Sequence, residues 1–185
     1  MHRVIPRRRH MKWTSALTFV AVLMFSVGES RAESPQSNSL PAAFTAVLSQ
    51  IKAVSQIPIL FPSEVPLGAN HFQLEKATPR EYAISLYYEL GVGDAGFAAS
   101  FSGQDKPAYN PAEVPNMRTV ELARGTRGYF RAISCGGSCA PANIWWEAGG
   151  VLYQIQLRLS SSTNGQSQEA AMVAVANSAI QGGPR

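Results

Sequence analysis

The segment Ile144-Trp145-Trp146-Glu147-Ala148-Gly149-Gly150-Val151-Leu152-Tyr153-Gln154-Ile155-Gln156-Leu157 admits few folds. Two consecutive glycines take the positive φ angles of a tight two-residue hairpin turn at no steric cost. Centring the turn on Gly149-Gly150 sets Ala148 against Val151, Trp146 against Tyr153 and Ile144 against Ile155, all on one face. The opposite face then receives Asn143, Trp145, Glu147, Leu152, Gln154 and Gln156, a mixed-to-polar set that suits solvent. A slip of one residue would bury Glu147 and Gln154, so the register is strongly specified. The hairpin demands further strands beside it and a cover for its apolar face.

The rest of the chain supplies both. Glu81 to Leu90 alternates, with Tyr82, Ile84, Leu86, Tyr88 and Leu90 on one side. This predicts a half-buried strand. His71 to Lys76 is its expected partner across Thr78-Pro79-Arg80, and the glycine-rich run Gly91 to Gly96 leads to a third strand, Phe97 to Phe101. Pro107, Pro111 and Pro115 predict a long polar loop over Ser102–Asn116, a length usually tied to function or mobility. Arg118 to Ala123 and Gly128 to Ile133 read as two more strands about an Arg-Gly-Thr-Arg turn.

Phe44, Val47, Leu48, Ile51 and Val54 recur at helical spacing behind Pro41, with Ser39 as candidate cap, so a helix is expected to run to about Ser55. Ile57-Pro58-Ile59-Leu60-Phe61-Pro62 is extended, because each proline disfavours helix in the residue before it; it is an apolar connector or edge strand. A closing helix is expected over Gln168–Ile180, with Ala171, Val173, Val175 and Ile180 on its apolar side and Gly182-Gly183 as its stop. The fold class is therefore α+β: an antiparallel sheet of six to eight strands with an N-terminal and a C-terminal helix packed on one face.

The first 32 residues have a different logic. Arg3, Arg7, Arg8, Arg9 and Lys12 precede an apolar run from Ala16 to Val27, which ends in Gly28, Glu29 and Ser30-Arg31-Ala32. That order predicts a cleaved signal peptide, residues 1–32, followed by a flexible Ser-rich leader, 33–40, and a single α+β domain, 41–185. The apolar run falls short of the roughly 20 residues a spanning helix needs, so no transmembrane anchor is expected in the mature form. No cysteine near the cleavage site offers a lipoprotein thiol. Met11 is an alternative start, and Arg7-Arg8-Arg9 leaves twin-arginine export open beside general secretion. The expected address is periplasmic or secreted.

Removing residues 1–32 takes away six of the 16 Lys and Arg but one of the 12 Asp and Glu. Ten positive charges then face eleven negative ones, and the formal +4 of the precursor becomes −1. Nucleic-acid binding needs many cations on one face, so it is not expected.

Cys135 and Cys139 both lie in the exported part, where one disulfide is expected. A loop so short gains only about 2 kcal/mol on the chain-entropy argument, enough to pin a turn. The same pair with His71 has the donor types of a copper or zinc site, which is the alternative redox or metal reading. Ser138, in Gly136-Gly137-Ser138-Cys139-Ala140, loosely matches a nucleophile elbow. No histidine follows it, and His71 is the one histidine of the mature chain. A papain-like reading of Cys139 meets Ala140 where an aromatic residue is required. No paired carboxylates, phosphate loop or histidine pair stands out, so neither an enzyme nor a cofactor is expected.

The candidate binding surface comprises Trp145 and Tyr87, on the polar faces of their strands, and Arg124, Arg127 and Arg131, which gather with Arg118 about one hairpin. If that face is open, the aromatics can stack on a ligand; if a helix or the proline loop covers it, they are second-layer core. The arginines make either an anion patch or a solvated turn with charge on both faces.

From Gly125 onward, Gly128-Tyr129, Ile144-x-Trp146, Gly149-Gly150, Tyr153-x-Ile155 and a closing helix with Ala176 and Ser178-Ala179-Ile180 carry a resemblance over about a third of the chain. This part resembles exported bacterial domains of unknown function often attached to sigma-factor regulators. The Cys135–Cys139 loop departs from that pattern, and no sigma-binding segment accompanies it. The resemblance implies a sensing or ligand-binding accessory domain that meets an unknown protein or small ligand outside the cytoplasm, and not an enzyme.

Overall fold

Alternation of apolar and polar residues over seven segments builds one antiparallel sheet. The structure is a computed structural model and describes residues 42–63, 69, 71–105, 107, 110–136, 138–160 and 164–185, all within one compact unit. The signal peptide, the leader, Pro41 and the Ser39 cap lie outside the described residues. The strands are β1 (His71–Thr78), β2 (Glu81–Tyr87), β3 (Phe97–Asp105), β4 (Arg118–Leu122), β5 (Thr126–Arg131), β8 (Ala142–Ala148) and β9 (Val151–Leu157). They lie in the order β1-β2-β3-β9-β8-β5-β4. Between β5 and β8 a separate ribbon pairs β6 (Ser134–Cys135) with β7 (Cys139–Ala140). Helices α1 (Ala42–Lys52) and α2 (Gly165–Gly182) complete the fold.

The β8–β9 hairpin has the expected register: Ala148 faces Val151, Trp146 faces Tyr153 and Ile144 faces Ile155. Gly149 and Gly150 take φ of 60° and 78°, the left-handed values this turn requires. Trp146 and Tyr153 share one face and stack at 5.5 Å between centroids.

That face is the core. Across it runs the row Ala77, Tyr82, Gly103, Tyr153, Trp146, Gly128 and Val120. A second row aligns Leu74, Ile84, Phe101, Ile155, Ile144 and Phe130. Helix α1 covers the β1 side, where Phe44 packs on Phe61 and Phe72. Helix α2 covers β4, β5, β8 and β9 with Met172, Val175, Ala176, Ala179 and Ile180. Asn164 caps it by accepting from the Ser167 amide at 2.8 Å.

Several boundaries differ from expectation. Strand β2 stops at Tyr87, just past a register slip between Leu86 and Tyr87, although the Tyr88 amide still donates across to the Gly96 carbonyl at 2.8 Å. Tyr88 and Leu90 therefore leave the buried face. Strand β3 continues to Asp105, four residues into the expected loop; polar residues and Gly103 fill that half, so no apolar alternation betrays it. Strands β4 and β5 end at Leu122 and Arg131, and Val54 is exposed beyond the end of α1. The buried stripe of α2 centres on Met172 and Ala176 rather than on Ala171 and Val173, and the helix is longer at both ends.

The segment Ile57–Pro62 is not a strand. It is a strap across the core face, bridged to the C-terminus by Leu60 and Pro184. Arg185 donates its amide to the Ile59 carbonyl at 3.0 Å.

Candidate functional site

The sheet surface opposite both helices carries Ser85, Ser100, Ser102, Gln154, Gln156, Asn143, Trp145 and Tyr87. The Ser100 hydroxyl donates to Gln156 Oε1 at 3.0 Å, and the Gln154 amide donates to Asn143 Oδ1 at 2.8 Å. Asn143 in turn donates to the Pro141 carbonyl at 2.8 Å. This net ties side chains to one another and to the chain.

The face is not simply solvated. Trp145 is 4% exposed, and Asn143 and Leu152 are buried with it. The Arg131 guanidinium lies 5.5 Å from the Trp145 ring centroid. Of the two arrangements the sequence left open, Trp145 takes the second-layer one.

Tyr87 is different. It is half-buried, meets Phe97 edge-on at 6.1 Å, and donates its hydroxyl to Glu75 Oε1 at 3.3 Å. It stands three strands from Trp145, about 14 Å across the sheet and about 13 Å along it. The two aromatics do not form one platform.

The arginines divide between the two faces. Arg118 pairs with Glu169 on α2 and lies over Phe130, and Arg124 donates to the Gln181 carbonyl at 3.4 Å. Arg127 and Arg131 alternate with Gly128 and Phe130, and so point to the other side. Arg127 lines a shallow hollow of about 230 Å³ with Thr119, Glu121 and Thr126. Glu121 sits opposite Arg127 in register, so the hollow carries both signs of charge.

Cys135 and Cys139 are opposed in the β6–β7 ribbon, with their sulfurs at bonding distance. His71 begins the edge strand β1, five strand positions from β5, about 24 Å across the sheet. The cysteine pair and the imidazole are therefore not brought together, and among the described residues no three His, Cys, Asp or Glu groups gather as a metal site. Ser138 is exposed in the ribbon, its carbonyl accepting from the Gly136 amide at 2.9 Å, and His71 is equally remote from it.

The shifted groups lie in the core. Burial pushes the Tyr153 hydroxyl up to about 12. Burial raises Tyr82 further, helped by its neighbour Tyr153 and partly opposed by the Leu60 amide. Both hydroxyls bond to the strap, which gives them a structural task.

One feature escaped the sequence reading. Between β2 and β3, Tyr88, Leu90 and Val92 are 45%, 51% and 43% exposed. Among the described residues the other exposed large apolar side chain is Val54. The three lie in the connection from Tyr87 to Phe97, which includes the 3-10 segment Gly93–Gly96. Glu89 and Asp94 are the charges of this stretch. The alternation of Glu81 to Leu90 carried Tyr88 and Leu90 onto the buried face, and the glycine run from Gly91 marks the end of the strand too late to free them.

No family model, curated protein or solved structure matches the chain. Among the described residues, no helix is long and apolar enough to cross a membrane.

Proposed function

We propose that the chain is an exported, non-enzymatic interaction module of the periplasm or extracellular space, and that it docks a partner through the turn end of the β2–β3 hairpin. The observation that carries this is the exposure of three large apolar side chains, Tyr88, Leu90 and Val92, within the five residues that follow the half-buried Tyr87. Apolar side chains exposed this close together in sequence are costly to leave in water, and aromatic anchors dominate protein interfaces. The charge order of residues 1–32 and the paired cysteines support export, since disulfides persist in oxidising compartments.

The test is the native size of the protein in extracts of its own cells. The wild type should migrate above its own mass, and the Tyr88→Ser, Leu90→Ser, Val92→Ser variant should migrate as the free domain while unfolding at the same denaturant concentration. A wild type at its own mass, or a variant that stays in the complex, contradicts the reading.

A further inference from the structure

The Cys135–Cys139 disulfide is placed where it supports little of the fold. Every described residue from Ser134 to Ala140 is exposed, and none belongs to the hydrophobic core. The β6–β7 ribbon is a sheet of its own, two residues per strand, with no ladder to the seven-stranded sheet.

Both flanks are held without the disulfide. On one side the Ile133 amide donates to Oε1 of buried Gln168 at 3.0 Å, tying the chain to α2. On the other, buried Asn143 donates to the Pro141 carbonyl at 2.8 Å. The chain therefore leaves β5 and enters β8 on anchors that opening the ribbon would not touch. A bond that closes only three intervening residues restrains few unfolded conformations. What exposure does provide is access, and thiol–disulfide exchange depends on the approach of a thiolate to one sulfur.

We infer that the Cys135–Cys139 pair is a thiol–disulfide exchange site for a dithiol partner, independent of the docking end of the β2–β3 hairpin. One thiolate of the partner attacks either Sγ; the Cys135–Cys139 bond breaks, a mixed disulfide forms, and the other cysteine leaves as a thiolate. The partner's second thiol then displaces the first cysteine. In sum the pair gains two electrons and two protons as dithiols, and the partner's dithiol becomes a disulfide. The sheet, α2 and the docking end keep their positions throughout.

Dithiothreitol is the probe, with thiol alkylation and mass measurement as the readout. The rate of reduction of the mature, folded protein should lie within about tenfold of its rate in guanidinium, since both cysteines are exposed in the folded ribbon. The reduced protein and the Cys135→Ser, Cys139→Ser variant should each unfold cooperatively within about 10 °C of the oxidised wild type. Protection of a hundredfold or more in the folded state, or loss of cooperative unfolding on reduction, would make the bond a structural brace and overturn the inference. In cells quenched with acid and alkylated, adding dithiothreitol to the medium should convert the pair from disulfide to dithiol; a pair that stays oxidised overturns it equally.

Discussion

The hydroxyl of Tyr153 donates to the carbonyl of Pro58 at 2.9 Å, joining the central strand β9 to a strap 95 residues earlier in the chain. Tyr82 repeats the device from β2: its hydroxyl donates to the Leu60 carbonyl at 3.1 Å and accepts from the Leu60 amide at 3.2 Å. Prolines at 58 and 62 deny the strap a regular ladder, so side chains satisfy its buried backbone. Tyr153→Phe keeps the ring and leaves the Pro58 carbonyl without its donor. We expect a loss of about 1–2 kcal/mol in urea unfolding. An unchanged midpoint would show that the strap does not need this bond.

Alkaline pH should unfold the domain through the same pair. A free tyrosine ionises near pH 10, whereas Tyr153 is pushed up to about 12 and Tyr82 is raised further, because burial penalises the phenolate. The neutral form is therefore favoured by folding. Its contribution is complete below about pH 10 and is lost as pH climbs toward about 12. Stability measured by denaturant at successive pH values should fall across that window, and less steeply in Tyr153→Phe, which has one fewer buried proton to lose. A flat profile contradicts the assignment.

Gly103 lies between the two tyrosines. A Cβ there would come within 2.7 Å of the Tyr82 ring and 3.2 Å of the Tyr153 ring, and neither ring can retreat from the packed core. Gly103→Ala should cost about 1–3 kcal/mol by overpacking. Gly165→Ala, at the exposed first turn of α2 where nothing stands within 4 Å, is the matched control and should change stability little or favourably. Equal effects at both sites would contradict this account of the core.

How much was legible follows from what each signal measures. The β8–β9 hairpin was read to the residue because Gly149-Gly150 fixes the turn and every inward pair is apolar. The far half of β3 was not, since its inward residue is Gly103 and its outward ones are Ser102 and Gln104, a pattern with no hydrophobic period. Tyr88 and Leu90 misled in the opposite way: they continue the alternation of β2 past the register slip at Leu86–Tyr87, where the strand ends. Trp145 occupies the strand face expected for it, but whether a face is open is a tertiary property that strand periodicity does not encode. The cysteines needed only their count and spacing, whereas the separation of His71 from them depends on strand order.

Processing is checked at the N-terminus. The protein isolated from outside the cytoplasm should begin at Glu33, after cleavage behind Ala32. A chain recovered whole from the cytoplasm, starting at Met1 or Met11, would remove the exported part of the proposal.

The docking end is tested most directly by a photo-activated crosslinking residue at position 90, compared with the same residue at exposed position 166 on α2, in the native cells. One discrete adduct is expected from position 90, lost when Tyr88 and Val92 are changed to serine, and none from position 166. No adduct from position 90, or the same adducts from both positions, would contradict the proposed docking.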